Sequence, residues 1–228
     1  MTGTDAIAAL PRGRLLAEFS LWSADLARLE HDLARTQPHA DIYHLDVADG
    51  RFAPSFLFFP DLTARVRALT ETPLHVHLMV DADILEEQVR QFADAGADLI
   101  SVHAEVLGSC PAVLELIRAR GCAAGIVLRL QTDVPAAAPF LNGAAMLTLL
   151  GTEIGVKGQS LSPLAGARLR EARALADAHA LLLAADGGIR EATVPILRDA
   201  GADTVVLGSL AFGAADLAAR MAWLRSLD

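Results

Sequence analysis

The stretch IYHLDVADG, residues 42–50, decides how this chain is read. Its first seven residues form an apolar, β-type run interrupted only by His44 and Asp46. Residues of equal parity share one face of a strand, so these two ionisable side chains point the same way out of a segment that otherwise belongs in a core. Asp49, of opposite parity, reads as support for the following loop.

Working outward, similar runs recur: LLAEFS near residue 15, LHVHLMV from 74, DLISVHAE from 98, AAGIVLRL from 123, AMLTLLG from 145, LLLAADGG from 181 and TVVLGS from 204. With the first, that makes eight. Between them lie segments with apolar residues at spacings of three and four, such as SADLARLEHDLAR, ADILEEQVRQFADA and SPLAGARLREARALADA. Strand starts fall 22 to 36 residues apart, one βα unit each. Eight such units with near-continuous apolar strands predict an α/β fold, a (β/α)8 TIM barrel in a single domain. The barrel is expected over residues 14–228, preceded by a flexible leader at 1–13. DAGAD occurs at 94–98 and again at 199–203, before the fourth and eighth strands, and suggests two related half-barrels. An open doubly wound sheet is the alternative, but the glycine-rich fingerprint expected after its first strand is missing.

Composition narrows the function. At 53% hydrophobic and 21% charged the balance is globular, and no apolar run approaches the roughly 18 residues of a membrane span. A net charge of −9 argues against nucleic acid, whose phosphates call for a basic face. Cys110 and Cys122 fit neither a metal spacing nor a disulfide framework, which agrees with a reducing compartment. The start of the chain lacks the basic and apolar segments of a secretory signal, so a cytoplasmic location is expected. Lys157 is the sole lysine.

The candidate chemistry sits at strand ends. His44 and Asp46 share a face of the second strand, and His75, His77 and Met79 share one on the third. Asp186 ends the seventh. In a barrel, catalytic groups collect at the C-terminal ends of the strands, so His44, Asp46, His77 and Asp186 can converge there. Taken singly, an inward histidine is ordinarily a hydrogen-bonded core residue, and a strand-end aspartate often caps a helix. Their coincidence on three strand ends favours a mixed nitrogen and oxygen site for one divalent ion, Zn²⁺, Mn²⁺, Fe²⁺ or Co²⁺. Glycine-rich turns offer a second theme, because their backbone N–H groups bind phosphate without a basic surface. Gly187 and Gly188 follow the seventh strand, and Gly208 and Ser209 the eighth. The loop GTEIGVKGQ, with Lys157 and Gly158, follows the sixth.

These motifs resemble the ribulose-phosphate 3-epimerase family, from SLWSADLARL at 20 to GSLAF at 208. The family pattern His-x-Asp-x-Met-Asp-Gly-x-Phe-x-Pro stands here as HLDVADGRFAP, with HLMV, DGG and GS in the expected order. The resemblance implies a (β/α)8 barrel that inverts carbon 3 of a ketose phosphate, by default D-ribulose 5-phosphate and D-xylulose 5-phosphate. It implies His44, Asp46, His77 and Asp186 as metal ligands, with Asp46 and Asp186 as the acid/base pair on opposite faces of a metal-stabilised enediolate. It also implies Ser20 and Met79 in the substrate pocket and Gly187, Gly188, Gly208 and Ser209 around the phosphate. A homo-oligomer is expected on the same ground.

The chain departs from the family pattern in places. Ala48 stands for a methionine, and another is missing near Leu147, so only Met79 remains of the apolar shield and a wider pocket is expected. Ser55, Phe59 and Arg129-Leu130 replace an asparagine, a glycine and Asn-Pro. The loop LGTEIGVKGQ is longer than its counterpart. Lys157 and Arg129 are therefore candidates for altered substrate or phosphate contacts, and a hexulose or tetrulose phosphate is the alternative substrate. A related barrel lyase or decarboxylase would carry an Asp-x-Lys pair on a strand end, where HLDVADG has no lysine.

Overall fold

A computed structural model describes residues 2–227 of the chain. The elements are α1 (Gly3–Ala8), β1 (Leu16–Ser20), α2 (Leu29–Thr36), β2 (Ile42–Ala48), α3 (Pro60–Arg67), β3 (Leu74–Met79), α4 (Ala82–Asp94), β4 (Leu99–His103), α5 (Ala104–Leu107) and α6 (Val113–Ala119). They continue with β5 (Ala123–Leu128), β6 (Met146–Leu150), α7 (Ala165–Ala178), β7 (Leu182–Asp186), α8 (Val194–Asp199), β8 (Thr204–Leu207), α9 (Ser209–Phe212) and α10 (Leu217–Arg225). The eight strands close in sequence order into a parallel barrel, with β1 paired to both β2 and β8. All eight expected strands are present.

Helix boundaries follow local chemistry. Asp81 caps α4 by accepting the N–H of Ala82, and the helix buries Leu85, Val89 and Phe92 at spacings of four and three. Pro60 opens α3, where its missing N–H costs no hydrogen bond. The segment SADLARLEHDLAR, expected as one helix, is instead a 3₁₀ turn at Leu26–Arg28 followed by α2. Asp25 accepts from Ala27 N, and Asp32 Oδ2 accepts the N–H of Asp25, so these acids organise a turn before the helix begins.

The repeated DAGAD has one structural role in both copies. Gly96 and Gly201 take φ of +97° and +101°, ending α4 and α8. The aspartates that follow then clamp the foot of the barrel. Asp98 Oδ2 accepts from Leu74 N at 2.9 Å and from Arg67 at 2.8 Å, while Asp203 Oδ2 accepts from Leu183 N and Arg173, both at 2.8 Å. Asp41 does the same for Ala17 N and Arg14.

Two apolar bodies flank the sheet. The larger lies between the strands and the surrounding helices and includes Tyr43, Leu45, Val76, Ile126 and Leu207. The smaller closes the barrel floor with inward residues Leu16, Ile42, Leu99, Ala123, Met146 and Leu182. Ile7 and Leu10 complete that floor, which corrects the expectation of a flexible leader at 1–13. Thr2 and Asp5 form a capping box on α1, and Gly3 N donates to Gly121 O at 2.8 Å. A Cβ on Gly3 would fall 2.1 Å from Asp98 O, so the helix enters where only glycine fits. Burial of two aliphatic side chains outweighs the weak helix-forming tendency of so short a segment.

Candidate active site

Above the apolar floor the barrel interior turns polar. Strand register sets His44 beside His75, Asp46 beside His77 and Leu150 beside Asp186. His44, Asp46, His77 and Asp186 each offer a ligand atom within 4.8 Å of the others. Asp46 Oδ1 lies 3.1 Å from His44 Nε2 and 3.5 Å from His77 Nδ1, and Asp186 Oδ2 lies 3.8 Å from the same Nδ1. The predicted four thus meet at one point near the top of the barrel.

Hydrogen bonds to residues outside the cluster hold Asp46, His44 and His77. Ser20 Oγ donates to Asp46 Oδ2 at 2.9 Å. His44 Nδ1 bonds Glu18 Oε1 at 2.7 Å. His77 Nε2 lies 2.9 Å from His103 Nε2, whose own Nδ1 lies 3.2 Å from Glu105 Oε2. His77 Nδ1 is buried without a hydrogen-bond partner. An unpartnered imidazole nitrogen facing two carboxylates, in a set of two nitrogens and two oxygens, fits a divalent cation.

Burial and charge push the two carboxyls apart. Desolvation and the neighbouring Asp46 raise Asp186 to about 6, against the pull of His44 and His77. Burial opposes ionisation of Asp46 as well, but His44 and His77 hold it well below the usual carboxylate range. Burial lowers His103 to about 4 and makes it a neutral ring, despite Glu105.

Asp46, His77 and Asp186 lie at the base of a cavity of about 390 Å³. Ser20, Met79, Lys157, Gly158, Gly187, Gly188, Gly208 and Ser209 all line it. Gly187 and Gly188 have φ of +87° and +71°, and Cβ atoms there would lie 2.3 Å from Thr152 Oγ1 and 2.6 Å from Leu161 Cα. The loop at 151–159 folds over the opening, tied down by Ser55 Oγ donating to Gly155 O at 2.7 Å. It brings Ile154 and Val156 to the wall. Part of the missing methionine shield is therefore supplied by this longer loop, whose Ile154 packs against the apolar cluster of Ala48, Ala53 and Met79.

Other expectations are refined. Lys157 Nζ sits 4.6 Å from the Trp22 ring centroid and donates to Trp22 O. Arg129 does not line the cavity: its guanidinium stacks 3.8 Å over Phe52 and donates to Phe52 O at 2.7 Å. Phe52 in turn meets the edge of His103, so Arg129 braces the support behind His77. Leu147 packs in the outer apolar body, and Leu150 lines the cavity. Asp49 organises its loop by accepting from the N–H groups of Arg51, Phe52 and Asp81 at 2.7–2.8 Å.

Sequence reasoning passed over Glu18, His103 and Glu105, and over Trp22 and Arg190, which both line the cavity. Glu18 carried a usable signal, since it is an acid inside LLAEFS with the parity of Ser20. Trp22 and Arg190 lie in connections, where no periodicity assigns a direction.

Known proteins resemble this chain in sequence and in fold. The profile of the Ribulose-phosphate 3 epimerase family matches residues 16–212. Ribulose-phosphate 3-epimerase of Bacillus subtilis (strain 168) is 33% identical over 201 residues, covering 86% of this chain and 92% of that protein. The protein of the same name from Mycobacterium tuberculosis (strain ATCC 25618 / H37Rv) is 34% identical over 215 residues, covering 93% and 92%. Among solved structures, 3-hexulose-6-phosphate synthase from Salmonella typhimurium superposes with a TM-score of 0.68 at 18% identity, covering 93% of this chain and 98% of that one. 3-Keto-L-gulonate-6-phosphate decarboxylase from Vibrio cholerae superposes with 0.71 at 15%, covering 94% and 97%. At such identities these structures speak to the fold. The sequence matches go further: this chain belongs to the ribulose-phosphate 3-epimerase family.

Proposed function

We propose that the chain is a metal-dependent 3-epimerase of a ketose phosphate, with D-ribulose 5-phosphate and D-xylulose 5-phosphate as the default pair. The observation that carries this reading is the convergence of Asp46 and Asp186 with His44 and His77 at the base of a cavity walled by glycine turns. In this reading the four residues hold one divalent ion, which when bound supplies Lewis-acid stabilisation of negative charge developing on the sugar oxygens.

Inversion at a carbon needs a proton-transferring group on each face. Asp46 reaches the cavity from β2 and Asp186 from β7, so a substrate between them presents one face to each. One carboxylate removes the carbon 3 proton while the other, protonated, delivers one to the opposite face. Ser20 steadies Asp46 during the exchange. Met79, Ile154 and Val156 exclude water from a carbanionic centre that water would quench. Gly187, Gly188, Gly208 and Ser209 offer backbone N–H groups to the phosphate, and Lys157 adds a positive charge at the cavity wall.

The lyase reading has no support in the lysine content, because Lys157 belongs to the loop at 151–159 and packs on Trp22. Substrate length is the open choice, since that loop reshapes the wall. Proton NMR in D₂O, with metal-replete protein and ketose phosphates of four, five and six carbons, tests both points. Wash-out of the carbon 3 proton with appearance of the epimer is expected, fastest for the true substrate. No exchange with any of them refutes the proposal.

A further inference from the structure

The interior layer below the metal-ligating residues holds an acid that the proposed reaction does not use. Glu18 is fully buried on β1, two residues before Ser20. Its Oε1 lies 2.7 Å from His44 Nδ1 and is also in hydrogen-bond contact with His75 Nδ1. His75 Nε2 in turn lies 2.6 Å from Ser101 Oγ. His44, His75 and Ser101 are as fully buried as Glu18.

Donor and acceptor bookkeeping settles the tautomers. A carboxylate only accepts, so each imidazole facing it presents N–H at Nδ1. For His44 this turns Nε2 toward Asp46 and His77, where without an ion it donates to Asp46 Oδ1 at 3.1 Å and where a cation would take the place of that proton. For His75 it leaves Nε2 to accept the Ser101 hydroxyl proton, which satisfies both ring nitrogens and anchors the ring. Glu18 is thus held by one histidine and directs the other. A cation held by Glu18, His44 and His75 instead would strip the Nδ1 protons that make this arrangement close.

We infer that Glu18 is a positioning residue, which fixes His44 in the tautomer whose Nε2 can bind a divalent cation, with His75 and Ser101 holding Glu18 in place. The inference rests on reading His44 as a metal ligand. A ligating imidazole whose far N–H donates to a carboxylate is oriented and made more basic, and loss of such a partner typically costs about 10–100-fold in metal affinity. Space filling alone would be served by an apolar side chain of similar length, since replacing a buried ionic group by a hydrophobic isostere is often neutral or stabilising.

Glu18→Met and Glu18→Gln separate these roles. Each metal-free protein is titrated with Co²⁺, followed by its visible absorption, and with Zn²⁺ against a chromophoric chelator, with folding checked by circular dichroism. Glu18→Met is expected to stay folded, to lose about 10–100-fold in affinity and to show an altered Co²⁺ spectrum. Glu18→Gln, which keeps an acceptor oxygen for His44, is expected to lose less. Wild-type affinity and spectrum in Glu18→Met would overturn the inference while leaving the proposed function intact; a wild-type protein that binds neither ion would overturn both. Should Glu18→Met fail to fold, long-range ¹H–¹⁵N correlation on the metal-free wild type decides, because a His44 protonated at Nε2 alone contradicts the assigned role.

Discussion

Ser20 Oγ donates to Asp46 Oδ2 at 2.9 Å, whereas Oδ1 of the same carboxylate faces His44 and His77. The two oxygens of Asp46 therefore have different environments, one turned to the imidazoles and one steadied by a hydroxyl. A hydrogen bond to a charged group contributes about 1.5–3 kcal/mol, so Ser20→Ala should lower kcat by roughly tenfold or more. Metal affinity should change little. Steady-state kinetics together with a metal titration check both halves.

Asp186→Asn should abolish carbon 3 exchange while the barrel stays folded. It should also change the pH dependence of the metal-free protein. The folded Asp186 carboxyl, raised to about 6 from 3.8, keeps its proton over a window in which the unfolded chain has released it. Its contribution therefore favours folding at low pH and is lost as pH rises through about 6. Asparagine has no such dependence, so the metal-free variant should melt higher than metal-free wild type at pH 8, with the gap closing near pH 4. Calorimetry at the two pH values is the measurement.

Lys157→Met removes the charge at the cavity wall and retains the aliphatic stem on Trp22. KM for a phosphorylated ketose should rise by roughly tenfold, about 1.4 kcal/mol, with kcat nearly unchanged, the signature of lost uniform binding. Equal effects on KM and kcat would place Lys157 in the chemical step instead.

Gly188→Ala introduces a methyl group into a left-handed backbone position, 2.6 Å from Leu161 Cα. The turn must distort, at a cost of about 1–3 kcal/mol. Phosphate-dependent binding should weaken with it, which competition by inorganic phosphate would report.

Deleting residues 2–10 should destabilise the barrel without touching the site. Ile7 and Leu10 together contribute about 3–6 kcal/mol of burial, an upper figure because the exposed floor can rearrange. A drop of roughly 10 °C in Tm, at 2–4 °C per kcal/mol, is expected with kcat preserved. An unchanged Tm would mean that the floor seals itself.

The sequence was most legible where a period of two governs. His44, Asp46, His77 and Asp186 could be placed together because strand parity and strand end set both direction and height. Lys157 and Arg129 show the opposite case. Both lie outside strands, so their directions depend on what they meet, and an aromatic ring takes each: Trp22 for Lys157 and Phe52 for Arg129. The first helix escaped notice because six residues carry too little periodicity, and its stability comes from a floor that exists only once eight strands have closed.

The barrel wall separates two tasks. Apolar contacts that hold the fold lie mostly outside the strands and at the floor, while Glu18, His44, Asp46, His75, His77 and Ser101 occupy the enclosed upper column. Inward substitutions can thus alter reactivity while the helices keep their grip on the sheet. Such a division makes the scaffold evolvable: new chemistry can be tried one strand position at a time, with the cost of each trial confined to a handful of inward side chains.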